Sequence, residues 1–219
     1  MHDLYNFVTG PMVWVTFIIF LGGSAYRLWR LLALVSEKEK FIHSYMSLKY
    51  SLRSIVRWSI PFSTANMRRH PWMTIVTFAF HICLVITPIF LMAHVLMWEE
   101  AWSVSWPTLP DTVADVMTLI VIGGCLFFLL RRLILPEVKF VTSASDFVLL
   151  AIVAAPFVTG FLAYHQWGNY PVFMILHIVC GEIMLVVIPF TRLSHMLFAP
   201  LTRAYMGSEF GAIRHARDW

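Results

Sequence analysis

Residues 171 to 198, PVFMILHIVCGEIMLVVIPFTRLSHMLF, constrain the chain more than any other stretch. The run is apolar and long enough to cross a bilayer as one helix. It carries His177 and His195, 18 residues apart. At about 100° per residue these are five whole turns apart, so both imidazoles face one way, about 27 Å apart along the axis. A hydrocarbon core is about 30 Å thick, which puts one histidine near each membrane face. Ionisable side chains inside a bilayer are costly and mark functional positions by default. Two axially ligated haems, one above the other, explain the spacing; two packed histidines bonded to neighbouring helices would also satisfy it.

The whole chain suits that setting. Of 219 residues, 59% are hydrophobic and 13% charged, a composition of integral membrane proteins that excludes a soluble catalytic domain. The spans predicted are about 8–34, 72–98, 113–135, 146–164 and 171–198. Together they make an all-α, five-helix transmembrane bundle forming a single membrane domain over 1–219. Trp29, Trp72, Trp98 and Trp167 cluster at the ends of the apolar runs, as interfacial belts do. Gly22, Gly23 and Ser24 would let the first span approach a neighbour closely. Cys83, Cys125 and Cys180 lie singly in apolar runs and read as packing residues rather than a zinc or iron–sulfur site. The N-terminus, MHDLYNFVTG, lacks the basic stretch of a cleavable signal, so the first span is expected to be retained.

Charge sets the orientation. All 16 Lys and Arg fall in three segments. The first holds Arg27, Arg30, Lys38, Lys40, Lys49, Arg53, Arg57, Arg68 and Arg69; the second Arg131, Arg132 and Lys139; the tail Arg192, Arg203, Arg214 and Arg217. With five spans these share one side, the cytoplasm by the positive-inside rule. The N-terminus is then periplasmic and the C-terminus cytoplasmic, in a bacterial inner membrane. The opposite segments carry only acids: Asp3, Glu99, Glu100, Asp111 and Asp115. They could steer a basic partner or simply be solvated loops. The cytoplasmic loop 36–70 mixes cations with Phe, Tyr, Met and Trp and reads as an amphipathic surface segment, lying on lipid headgroups or docking a subunit.

Nine histidines are many for so apolar a chain. His2, His43 and His215 lie in solvated segments and receive no role. Depth along the spans pairs His94 with His177 and His81 with His195. Bis-histidine ligation needs one imidazole on each porphyrin face, which two facing helices supply. The alternative in the second span, His70 with His81, has the better facing. It places His70 beside Arg68, Arg69 and Pro71 at the interface, however, and mismatches the depths. His81 and His94 are 13 residues apart, about 220° off a common face on an ideal helix; Pro88 between them could kink the span and re-aim its second half. Glu182 is an acid well inside a span, suited to a proton or quinone role or to a helix–helix hydrogen bond. Arg192 beside His195 suits a haem propionate or a lipid phosphate.

The blocks FHI (80–82), LP (109–110), RRLILPEV (131–138), TSASD (142–146), LHIVCGE (176–182), IPFTRLSH (188–195) and LTRAY (201–205) resemble the cytochrome b, or gamma, subunit of respiratory nitrate reductase and its relatives, over nearly the whole chain. The resemblance implies two haem b groups held between the second and fifth helices, with His81, His177 and His195 on ligand positions, and a menaquinone or related quinone site near the outer haem. Asp115 and His165 are the titratable groups available there, though interfacial snorkelling explains either. The fourth ligand departs: the family's position falls on Leu91, with His94 nearby. That departure and EEAWSVSWPTLP (99–110) look more like the cytochrome b subunit of transmembrane redox complexes of sulfate reducers. Those complexes join a periplasmic multihaem cytochrome c to a cytoplasmic iron–sulfur subunit. The implied function is electron transfer within such a complex, with substrate chemistry on partner subunits and no nucleic acid involved. A gamma subunit of nitrate reductase itself, a haem-free membrane anchor and a small transporter are the alternatives.

Overall fold

A computed structural model describes residues 2–38 and 41–219. Lys40 and the side chains of Lys38 and His43 lie outside the described residues. The elements are all helical, with no strand among the described residues. In chain order they are α1 (His2–Thr9), α2 (Pro11–Lys38), α3 (Ile42–Tyr45), α4 (Leu48–Ser59), α5 (Ala65–Arg69), α6 (Pro71–Phe90), α7 (Met92–Trp102), α8 (Asp111–Ile134), α9 (Pro136–Phe140), α10 (Ala144–Tyr164), α11 (Tyr170–Val187) and α12 (His195–Ser208). Five stretches are long and apolar enough to cross a membrane: His2–Glu37, α6, α8, α10 and α11. Two spans are shorter than their apolar runs suggest, each for a backbone reason.

The run expected to be one helix over 171–198 ends at Val187. Pro189 lacks an N–H and disfavours helical backbone in the residue before it. Thr191 then takes over both sides of the break: its hydroxyl donates to Val187 O at 2.8 Å and accepts from Leu193 N–H at 3.3 Å. A single 3-10 turn, Arg192–Ser194, leads into α12, which His195 begins. The five-turn relation between His177 and His195 is therefore lost, because it required one unbroken helix.

The span expected over 72–98 likewise breaks at Leu91, whose backbone is extended (φ −66°, ψ 130°). Pro88 is accommodated inside α6, so the interruption falls three residues beyond the proline expected to cause it.

The chain packs as two compact units. One comprises residues 1–8 and 75–181, the other residues 9–74 and 182–219. In the first, α8 and α10 pack together. Helix α8 stops where Leu135 precedes Pro136 and turns extended (ψ 117°). Asp146 secures the start of α10 by accepting Ser143 N–H at 2.8 Å and the Ser143 hydroxyl at 2.9 Å. Arg132, at the end of α8, approaches the same carboxylate at 3.8 Å. Phe80 of α6 sits over Gly124 of α8, where an added Cβ would come within 2.8 Å of its ring, and meets Phe128 edge-on at 5.2 Å.

In the second unit α4 packs along α12 through small polar residues. Ser51 and Ser54 are buried. The Ser51 hydroxyl donates to Ala204 O at 3.0 Å and pairs with the Ser208 hydroxyl at 2.9 Å, while Ser47 N–H donates to Ser208 Oγ at 3.1 Å. The tail folds onto the pair. Ser54 donates to Asp218, Arg203 lies 3.9 Å from that carboxylate, and Arg53 stacks on the rings of Tyr50 and Trp219 at 4.6 and 4.7 Å. The close approach of α2 expected at the Gly22–Gly23 pair is found at Gly23, where a Cβ would come within 2.9 Å of Phe190 and 3.0 Å of Pro189; Gly22 faces open space.

Gly207 admits α4: any Cβ there would collide with Ser54 Cβ and with the Tyr50 carbonyl. Gly207→Val should therefore lower stability by about 1–3 kcal/mol, the usual cost of overpacking. Thermal unfolding of the purified chain in detergent checks this, with Gly22→Val near neutral as its control.

Candidate functional site: an imidazole pair at a helix break

Breaking a helix inside an apolar environment strands carbonyls whose partners lie beyond the break. At the end of α6 three are recovered by specific groups. Pro88 O accepts His94 Nδ1–H at 2.8 Å. Ile89 O accepts the Trp106 indole N–H at 2.8 Å. Phe90 O accepts Leu109 N–H at 2.8 Å. The segment 103–110 thus folds back over the break, and the His94 ring is fixed by a carbonyl that exists as an acceptor because Leu91 is extended. The 220° mismatch between His81 and His94 disappears because the two residues stand on different helices.

His177, on α11, is held in a matching way. Its Nδ1–H donates to Pro156 O of α10 at 2.8 Å. Gly160, one turn on, makes this possible: a Cβ there would come within 2.7 Å of His177 Nδ1 and 2.8 Å of Cε1. The two rings meet at 5.9 Å between centroids with 15° between their planes. The pairing of His94 with His177 expected from depth is thus a juxtaposition within one compact unit.

Two further candidates show the same anchoring. His81 Nδ1–H donates to Thr77 O at 2.7 Å, and His195 Nδ1–H donates to Arg192 O at 2.9 Å. They belong to different units, His81 to the first and His195 to the second, and each is described by itself. Since a carbonyl only accepts, each of the four rings carries a proton on Nδ1. A backbone acceptor that fixes tautomer and ring orientation is the usual outer support of a metal-ligating imidazole.

The fit to an iron held between two imidazoles can be tested on the His94–His177 pair. Metal–imidazole bonds of about 2 Å on each side put the ligating nitrogens about 4 Å apart and the ring centres further out, the order of the 5.9 Å observed. The proton on Nδ1 and the spacing between ring centres suit that role. Groups of three or more His, Cys, Asp or Glu able to hold a metal ion are absent among the described residues; bis-histidine ligation asks for two.

The remaining candidates divide. His165 and Asp115 come together at the ends of α10 and α8, with His165 Nε2–H donating to Asp115 Oδ1 at 3.2 Å. Both side chains are about 30% exposed (29% and 31%), and Phe161 and Trp167 flank the imidazole at 4.4 and 5.7 Å. This replaces independent snorkelling by a dyad joined through Nε2 rather than Nδ1. His70 caps α5 and is exposed. Arg192 is exposed, and its carbonyl accepts the His195 Nδ1–H. Glu182 is buried at 6% exposure, and neither carboxylate oxygen has a hydrogen-bond partner, so the helix–helix bond expected of it is not formed. Cys83 and Cys125 are buried free thiols; Cys180 is half-buried.

Sequence reasoning missed Pro156, Gly160 and Trp106. Gly160 in a membrane helix reads as generic small-residue packing, and Trp106 as one more interfacial tryptophan. Trp106→Phe should remove the cap on Ile89 O at a cost of about 0.5–1.5 kcal/mol and loosen segment 103–110. Faster proteolytic nicking of that segment, with His94→Phe showing a comparable effect, is the expected result.

No family model matches the chain. A protein of Nitratidesulfovibrio vulgaris (strain Hildenborough), described only as a protein, is 38% identical over 215 residues, spanning 96% of this chain and 95% of that one.

Proposed function

The chain belongs to the family of that Nitratidesulfovibrio vulgaris protein, and we propose that it is a dihaem cytochrome b, the membrane subunit of a respiratory redox complex of the bacterial inner membrane. The observation that carries this reading is the near-parallel His94–His177 pair, each ring tied through Nδ1 to a backbone carbonyl. Haem b supplies a one-electron carrier within such a pair. His94 and His177 are the proposed outer ligands, His81 and His195 the inner ones, and Arg192 is the proposed propionate partner.

Each residue has a separate task. Pro88 O and Pro156 O fix the outer imidazoles and raise the electron density on Nε2. Gly160 keeps the space beside the His177 ring. The His165–Asp115 dyad is the proposed quinone site. Asp115 holds the imidazole by Nε2–H, so Nδ1 can take a proton from a quinol hydroxyl while the carboxylate stabilises the cation formed. Menaquinol gives up electrons at that end, or menaquinone receives them. The proposed partners are a cytoplasmic iron–sulfur subunit and a basic periplasmic multihaem cytochrome c, the latter steered by Glu99 and Glu100. This orientation rests on the distribution of Lys and Arg.

Three outcomes test the proposal. The purified chain should show a dithionite-reducible b-type spectrum with two haems per chain, and no reducible band would refute it. His94→Ala and Gly160→Ala should each lower the content to one, while His70→Ala retains both; loss from the His70 variant alone would reassign the ligand. A reporter fused after Trp219 should be cytoplasmic and one inserted near Ser105 periplasmic.

A further inference from the structure

We infer that α4 lies in the headgroup region of an anionic phospholipid leaflet, with Leu48, Leu52 and Val56 inserted among the acyl chains. The helix has three faces. Ser51 and Ser54 are buried against α12 and the tail. Leu48, Leu52 and Val56, each four residues after the last, form a stripe exposed at 75%, 52% and 54%. Lys49, Arg53 and Arg57 make a parallel basic row beside that stripe. Lys49 and Arg57 are exposed, each with its cation 5.6 Å from a ring, Tyr50 and Trp219 respectively, while Arg53 is half-buried between those two rings.

Charge favours an anionic surface. From Phe41 to His70 the sequence holds Lys49, Arg53, Arg57, Arg68 and Arg69 and no acid. A basic row flanking an aliphatic row is the composition of helices that lie in the plane of a membrane interface. Area decides against a protein partner. Three aliphatic side chains in one row fall far short of the about 800 Å² per partner that a stable protein interface buries, whereas shallow insertion needs no more. The position of α4, between two helices apolar enough to cross the bilayer, keeps it near that surface. The inference is independent of any cofactor.

Nitroxide labels at Leu52→Cys and Val56→Cys test it, in the full-length chain reconstituted in vesicles of phosphatidylethanolamine and phosphatidylglycerol. The labelled parent chain supplies the background from the native cysteines. At both sites collision with oxygen should exceed collision with a water-soluble nickel chelate several-fold, and Lys49→Cys should show the reverse. In vesicles of phosphatidylcholine alone the difference should shrink. Dominant nickel collision at Leu52 and Val56 would overturn the inference. So would protection from both reagents in native membranes, which would show a protein subunit covering the stripe. Since haem content is read separately by absorbance, loss of this result leaves the cytochrome reading untouched, and the reverse holds.

Discussion

The constraint on which the rest depends is that backbone carbonyls must be satisfied where water is scarce. A membrane helix can break only where something else takes over its terminal acceptors. At Leu91 an imidazole, an indole and a backbone N–H do so for Pro88, Ile89 and Phe90. The break is therefore a built feature. It frees the acceptor that orients His94 and turns α7 away from the ideal-helix direction that would have carried His94 to the wrong face. At Val187 a threonine serves the same end, accepting and donating across the gap before His195. In both places a histidine follows soon after the interruption, so the device that breaks the helix also places the side chain.

Prolines recur as the source of these acceptors. The amides of Pro88 and Pro156 cannot donate, but their carbonyls accept, and these two carbonyls hold His94 and His177. An imidazole that spends Nδ1–H on a backbone carbonyl has its tautomer chosen and its rotation restricted, which lowers the entropic cost of holding Nε2 toward a ligand. The His165–Asp115 dyad inverts the arrangement, with Nε2 as donor. One chain thus holds its imidazoles in two arrangements, four by Nδ1–H to a backbone carbonyl and one by Nε2–H to a carboxylate.

Much of this was legible in the residues. Apolar runs located all five candidate spans, and the depth of the histidines within them selected His94 and His177 as partners. Pro189 announced the end of α11, yet the apolar residues on both sides masked it. Pro88 marked this span as one to kink, but the exact break at Leu91 was illegible, since Leu91–Met92 is ordinary helical sequence and the groups that cap the freed carbonyls, Trp106 and Leu109, lie more than a dozen residues ahead. The role of Gly160 was illegible for the same reason, because only the position of the His177 ring distinguishes it from Gly22, which faces open space. Ser51 and Ser54 read as solvent-facing residues of the 36–70 segment and turn out to form, with Ser208, the seam between α4 and α12.

That seam shows how the charged half of the chain is organised. Serine and glycine at the contact allow close approach without bulky apolar side chains, so burying one face of α4 does not consume its leucines. The aromatic residues instead lie against cations: Tyr50 against Lys49 and Arg53, Trp219 against Arg53 and Arg57, and Trp58 against Arg203 at 4.4 Å. Lys49 and Arg57 remain exposed beside the aliphatic stripe. A helix packed this way presents its apolar and basic rows together on the surface away from α12. The physical reason is that cohesion between α4 and α12 comes from hydrogen bonds and fit, which leaves hydrophobic area over for the membrane.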